Sequence, residues 1–192
     1  PPSTLTSTDA DVFSGTDAVS YLGSQIVHGD FNSDGYEDIC YSSYGTGSKG
    51  ISSQRGSVHC KFGSQSNSVP DQNSVEILGD GLRSRFGYSM EVLDFNLDGI
   101  DDLIVSAPGF NNFNTTVNGS SPYPDTAYPS FHLFGRVYIL FGHHTRPFPS
   151  TVDETIPSSQ MSIVSTKVSL RGLGWKLMKG DINNDGNDDI LV

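Results

Sequence analysis

Asp94 to Asp102 reads DFNLDGIDD, and the chain writes the same pattern twice more: Asp30 to Asp38 is DFNSDGYED and Asp181 to Asp189 is DINNDGNDD. The shared form is D-x-N-x-D-G-x-x-D. Oxygen-bearing side chains at alternate positions allow a tight loop to close around one hard cation, and Gly at position 6 permits the sharp turn that brings the later donors back. An oxygen-only set suits Ca²⁺ better than Mg²⁺ or zinc, because Ca²⁺ accepts six to eight oxygens in irregular geometry. The expected ligands are the side chains of Asp30, Asn32, Asp34 and Asp38 with the Tyr36 carbonyl; Asp94, Asn96, Asp98 and Asp102 with the Ile100 carbonyl; and Asp181, Asn183, Asp185 and Asp189 with the Asn187 carbonyl. Up to three Ca²⁺ ions are expected. The plainer alternative is three acidic Asx turns without metal.

The loop is not that of an EF-hand. Position 12 there is a bidentate Glu, whereas Tyr41, Val105 and Val192 stand at that place here. Each loop runs directly into a short apolar segment: Ile39-Cys40-Tyr41, Leu103-Ile104-Val105 and Ile190-Leu191-Val192. β-branched and aromatic residues beside turn signals read as strands, so the expected unit is a β-hairpin closed on a metal.

The 192 residues suffice for one domain with a sizeable core, and no long segment carries helical periodicity, which favours an all-β class. No apolar run approaches the ~20 residues that span a bilayer. The start at Pro1-Pro2 carries no signal peptide and reads as an excised segment. The net charge is -11, and four acids in each loop account for over half of the 22 acidic residues. That acidity is metal-binding capacity, and it argues against nucleic acid, which needs a basic footprint. Cys40 and Cys60 fall on the second and third expected strands of one repeat. Either they bridge across those strands or they remain two buried thiols; the sequence leaves both open.

Each loop has a fixed prelude. Leu22-Gly23, Phe86-Gly87 and Leu173-Gly174 stand at the same distance before it, with strand-like stretches Ser24 to Gly29, Tyr88 to Leu93 and Trp175 to Gly180 between. A Gly-led strand comes later, at Gly56 to Gly63 and Gly135 to Gly142. A fourth precedes the next prelude, at Ser74 to Leu78 and then at Met161 to Ser165 or Val168 to Leu170. Four strands per recurring unit is the sequence form of a β-propeller blade.

Phe86-Gly87, the DFNLDGIDD loop, Ser106-Ala107-Pro108 and Gly135-Arg136-Val137-Tyr138 together resemble the FG-GAP repeat of the integrin α-subunit type. The same repeat occurs in the C-terminal region of glycosylphosphatidylinositol-specific phospholipase D, toward which Arg83 to Gly87 leans. Repeat one departs with Leu22 for Phe and Ser42-Ser43-Tyr44 for Gly-Ala-Pro; repeat three departs with Leu173 for Phe. The resemblance implies an all-β partial β-propeller of four-stranded antiparallel FG-GAP blades, at about 21–78, about 86–170 and a half unit at 173–192. Open units would expose unpaired edges, so the chain is expected to be a fragment of a larger one whose remaining blades cover them.

In an up-and-down meander, alternate turns share one end of the sheet. Opposite the calcium loops lie 44–55, 79–85 and the long insertion 109–134, rich in Asn, Ser, Pro and aromatics. The resemblance implies that partners, protein or glycan, are recognised on that face. Two sequons in the insertion, Asn114-Thr115-Thr116 and Asn118-Gly119-Ser120, fit a secreted or cell-surface glycoprotein.

Other motifs fail. Gly45-Thr46-Gly47-Ser48-Lys49-Gly50 matches G-x-G-x-x-G but no helix comes after it to hold a pyrophosphate. His143-His144 lacks a third soft ligand nearby. Asp101-Asp102 invites a glycosidase reading, but the metal loop accounts for the pair. There is no G-x-S-x-G elbow and no H-E-x-x-H, so no catalytic residue and no organic cofactor is assigned. The expected function is a calcium-binding extracellular or cell-surface segment for recognition or adhesion. Its rival is the non-catalytic accessory region of a phospholipase D-like hydrolase.

Overall fold

The structure is a computed structural model, and it describes residues 20–47, 54–64, 74–81, 83–110, 135–145, 148–152, 156–158, 160–165 and 173–192. Residues 111–134, with both sequons, lie outside these, as do 48–50 of the glycine-rich turn and 168–170.

Ten strands are described. Ile26–Gly29 (β1), Asp38–Ser43 (β2), Ser57–Lys61 (β3) and Ser74–Leu78 (β4) form one antiparallel meander. Met90–Leu93 (β5), Asp102–Ala107 (β6), Arg136–Leu140 (β7) and Met161–Ser165 (β8) form a second, and Met178–Gly180 (β9) pairs with Asp189–Leu191 (β10) in a hairpin. The register repeats: Gly29 faces Asp38, Leu93 faces Asp102 and Gly180 faces Asp189. Each nine-residue motif is therefore the turn between the first two strands of its sheet. Among the described residues no helix is long and apolar enough to cross a membrane.

The all-β class is observed, but the partial propeller of FG-GAP blades is not. The chain forms three separate, unclosed antiparallel sheets. Each ladder is completed inside its own repeat, and among the described residues the isolated bridge outside these ladders is parallel, Leu78 with Thr151. Strand count and turn spacing dictate a local meander. They do not dictate how successive meanders curve about an axis, which depends on packing summed over the sheets.

The sheets are held together by their faces. Side chains alternate across a strand, and in β6 and β7 that alternation divides the core in two. Leu103, Val105, Tyr138 and Leu140 join Cys40, Val58, Cys60 and Ile77 of the first sheet in one buried cluster. The alternate residues Ile104, Val137 and Ile139 turn the other way, to pack with Leu173 and Leu177, which lead into β9, and with Ile190 of β10. The middle sheet is thus covered on both faces, which is why all six residues of β6 are buried. Burying a Val, Leu or Ile side chain contributes about 1.5–3 kcal/mol. In β2, by contrast, Ile39 is 41% exposed while Cys40 is fully buried.

Cys40 and Cys60 stand directly opposite on β2 and β3 and form a disulfide, with Cα atoms 4.1 Å apart. Sequence alone leaves bridge and thiols both open; the register decides for the bridge.

The prelude glycine has a packing reason. Gly87 adopts φ 89° and Gly174 φ 92°, both left-handed. A methyl on Gly87 would stand 2.9 Å from Cβ of Ser42 in the first sheet, and one on Gly174 would stand 2.8 Å from Cβ of Ser106 in the second. The second and third sheets therefore each begin where the backbone is pressed against the second strand of the sheet before it.

Candidate metal centre

The three loops are built alike to the level of single hydrogen bonds. In the first, the Asp34 amide donates to Asp30 Oδ1 at 3.1 Å and to Asn32 Oδ1 at 3.0 Å, and the Gly35 amide donates to Asp30 Oδ2 at 2.9 Å. The Tyr36 amide donates to Asp34 Oδ1 at 2.9 Å, and Asn32 Nδ2 donates to Asp34 Oδ2 at 3.0 Å. The second loop repeats all five bonds through Asp94, Asn96, Asp98, Gly99 and Ile100. The third repeats them through Asp181, Asn183, Asp185, Gly186 and Asn187.

Two left-handed residues make this possible. Position 6 is Gly35, Gly99 or Gly186, with φ between 85° and 91°. Position 4 is also left-handed although it is never glycine: Ser33 at φ 54°, Leu97 at 59° and Asn184 at 61°. That conformation costs a residue with a Cβ about 1–2 kcal/mol. Only Asn184 hints at it in the sequence, since Asn tolerates this region.

Position 9 behaves differently. Asp38 and Asp102 are fully buried. Asp38 Oδ2 accepts the Phe31 amide at 3.0 Å and its Oδ1 accepts the Gly63 amide at 2.7 Å. Asp102 accepts the amides of Phe95 and Gly142, each at 2.9 Å. In the third loop the Ile182 amide donates to Asp189 at 3.0 Å. Burial pushes the carboxyls of Asp38 and Asp102 up to about 6, against the pull of those backbone amides, and the carboxylates of Asp34 and Asp98 add to the rise. Exposed Asp185 goes the opposite way, held below its ordinary value by the Asn187 amide and the Asn183 side chain.

Positions 1, 3 and 5 are thus brought together in each loop, with two side-chain oxygens converging on one amide, while position 9 is turned onto the backbone. Among the described residues no group of three or more His, Cys, Asp or Glu side chains is gathered in the manner of a metal site. The donor set still fits a hard cation by its chemistry: oxygen only, anionic at positions 1 and 5, and already ordered around a single turn. Asn at position 3 adds a neutral oxygen donor, which shares the Asp34 amide with Asp30.

Three contributors escaped the sequence reading. The amides of Gly63 and Gly142 each lie two residues beyond β3 and β7, and their role appears only when the third strand lies beside the second. The carboxylate of Asp101, at position 8, accepts the Asp30 amide of the neighbouring loop at 2.9 Å. Nothing in a nine-residue pattern signals a bond to another copy of itself.

A family model described as the FG-GAP repeat matches residues 86–121, from the prelude of the second sheet through its loop and β6 into the insertion that comes after. The chain is 29% identical to a phosphatidylinositol-glycan-specific phospholipase D of Dictyostelium discoideum over 191 residues, 93% of this chain and 18% of that protein. It is 31% identical to the Mus musculus protein of the same name over 175 residues, 89% of this chain and 18% of that one. Integrin alpha-5 of Xenopus laevis matches at 26% over 174 residues, 90% of this chain and 14% of the integrin. The chain is distantly related to the FG-GAP, integrin-α and phosphatidylinositol-glycan-specific phospholipase D proteins. It spans 18% of the length of the phospholipase relatives. The FG-GAP match falls on the sheet whose prelude, Phe86-Gly87, is the one Phe-Gly among the three.

Proposed function

We propose that this chain is a calcium-organised, non-catalytic β module of an extracellular protein related to phosphatidylinositol-glycan-specific phospholipase D, and that its loops hold up to three Ca²⁺. The observation that carries the reading is the threefold recurrence of one hydrogen-bond network around Asp30, Asp94 and Asp181. Bound calcium would supply positive charge to clustered carboxylates, with the side chains at positions 1, 3, 5 and 9 and the carbonyl at position 7 to hold it. The Cys40–Cys60 bridge supports an oxidising compartment. The test is calorimetric titration of the chain with Ca²⁺ and with Mg²⁺. Calcium heats with dissociation constants on the order of 10⁻⁴ to 10⁻³ M and a rise in melting temperature are expected; no heat and no rise would overturn the reading.

A second reading, ligand recognition or adhesion, rests on a different end of the molecule. Tyr21, Tyr44, Tyr88 and Trp175 lie at the sheet ends away from the loops and touch in series: Tyr21 and Tyr44 stack at 4.8 Å, Tyr44 meets Tyr88 at 5.2 Å, and Tyr88 meets Trp175 edge-on at 4.9 Å. Arg85 stands 6.0 Å over the Trp175 ring, and Tyr21 and Trp175 are about half exposed. Aromatic and Arg side chains of this kind favour interface cores. Loss of calcium-dependent cell-surface binding by Trp175→Ala, measured by flow cytometry, would support recognition; unchanged binding would count against it.

A further inference from the structure

The first two loops touch, and the contacts between them are not those between the second and third. The Asp30 amide donates to Asp101 Oδ2 at 2.9 Å. Gly29 lies so close that a Cβ there would stand 2.7 Å from the same oxygen and 2.8 Å from Val92 Cγ1. A second path runs beside it. Gly142 donates to Asp102 Oδ1, and the next residue, His143, donates its amide to the Phe31 carbonyl at 2.9 Å. Phe31 in turn is tied through its own amide to Asp38. At the next junction the acid at the same position, Asp188, stands 3.9 Å from Lys179 of its own hairpin, and Lys179 reaches the Val92 carbonyl at 2.8 Å.

We propose that Asp101 is a positioning residue for the first loop, through which occupancy of the second loop by Ca²⁺ raises the calcium affinity of the first, while the third loop fills independently. The inference rests on the calcium reading above. Asp101 lies between Ile100, whose carbonyl is an expected donor of the second loop, and Asp102, its position-9 acid. Ordering 100–102 fixes the Asp101 carboxylate, and that carboxylate fixes the Asp30 backbone. Asp30 supplies both side-chain oxygens on which the first loop is built. His143 acts in parallel, from a strand end that Asp102 holds. By linkage the coupling is reciprocal.

The amides of Gly35, Gly99 and Gly186 each donate to the position-1 carboxylate of one loop, so their nitrogen–proton resonances report the loops separately. The 192-residue chain is titrated with Ca²⁺ alone and the three midpoints are followed by NMR. Asp98→Ala, which removes a donor from the second loop, is expected to raise the Gly35 midpoint about fivefold or more and to leave Gly186 unmoved. Asp101→Ala raises the Gly35 midpoint similarly, and the double variant goes no further. Asp101→Asn, which keeps an acceptor for the Asp30 amide, restores most of the affinity. Should Asp98→Ala lose the Gly186 resonance, Asn96→Ala replaces it. A Gly35 midpoint that is the same in the wild type and in the second-loop variants overturns the coupling and leaves calcium binding standing. No calcium-dependent shift at any of the three glycines overturns both.

Discussion

Asp102 accepts the amide of Gly142 at 2.9 Å across forty positions of chain. Asp38 does the same for Gly63 at 2.7 Å in the first sheet. The last acid of each of these motifs therefore belongs as much to the third strand as to the loop. It closes the hairpin through position 2 and pins the exit of the next strand, so loop order and sheet order are one property.

Removing that acid should cost stability even with no metal added. Asp102→Ala leaves the Phe95 and Gly142 amides without their acceptor, and an unpaired buried donor costs about 1–3 kcal/mol. Urea unfolding in EDTA should show Asp102→Ala less stable than the parent by about 2–5 kcal/mol. Asp98→Ala, exposed at position 5, should cost under about 1 kcal/mol under the same conditions. Equal losses would mean that the Gly142 bond carries no weight.

The pH dependence comes from the same two acids. Their folded values, about 6, lie above the ordinary 3.8. A raised folded value means that the native state binds more protons between those limits. The stabilising contribution is full below about 3.8 and is lost as pH rises through about 6, on the order of 3 kcal/mol per group. The metal-free chain should therefore gain melting temperature as pH falls from 7 toward 5. The increment from added Ca²⁺ should shrink over the same range, because protons compete at position 9. Scanning calorimetry with EDTA and with Ca²⁺ checks both signs; a metal-free chain that loses stability over that interval would refute the first.

Much of the fold is legible in the sequence and some is not, for physical reasons. Hairpin positions are legible because Ile39 to Tyr41 and Leu103 to Val105 come directly after a turn motif whose chemistry is local. The opposition of Cys40 and Cys60 is not, since it depends on β3 lying beside β2 in one register. A propeller is the inference from recurrence of four strands, yet the three sheets stay separate, because curvature is a property of packed sheets and is written in no single repeat. Asp38 and Asp102 read as ligands from their place in the motif, but their burial and backbone partners come from Gly63 and Gly142, outside it.

The disulfide should matter more to stability than to shape. Cys40 and Cys60 are 20 positions apart, and closing a loop of that size restricts the unfolded chain by about 3 kcal/mol in the chain-entropy account. Cys40→Ser with Cys60→Ser should lower the unfolding free energy by about 2–4 kcal/mol with the β-type circular dichroism unchanged. Loss of that signal at 25 °C would show instead that the first sheet requires the bridge to form.

Gly87 tests how the sheets are joined. With φ 89° and Ser42 Cβ 2.9 Å from the place of a new methyl, Gly87→Ala carries both backbone strain and a contact that cannot relax without moving β2. A loss of about 2 kcal/mol or more is expected from those two effects together. Gly99→Ala has a similar φ of 85° but open space, so it should lose only the conformational part, about 1 kcal/mol. Paired urea titrations separate the two, and equal losses would show that the approach to Ser42 has no cost.

The two phenylalanines at position 2 should differ sharply in what their loss costs although the motif treats them as equivalent. Phe31 is 2% exposed and meets Phe148 edge-on at 5.3 Å, and its carbonyl is held by His143 from the second sheet. Phe95, at the same place in the second loop, is 42% exposed. Truncating a buried Phe removes its transfer energy and leaves a cavity, so Phe31→Ala should cost about 3–5 kcal/mol. Phe95→Ala should change stability by about 0.5 kcal/mol or less. Because Phe31 is where the second sheet grips the first loop, Phe31→Ala should also weaken calcium binding at Gly35 while sparing Gly186. A Phe95→Ala loss as large as that of Phe31→Ala would mean that the second loop is covered as the first is, and the asymmetry between the two junctions would be void.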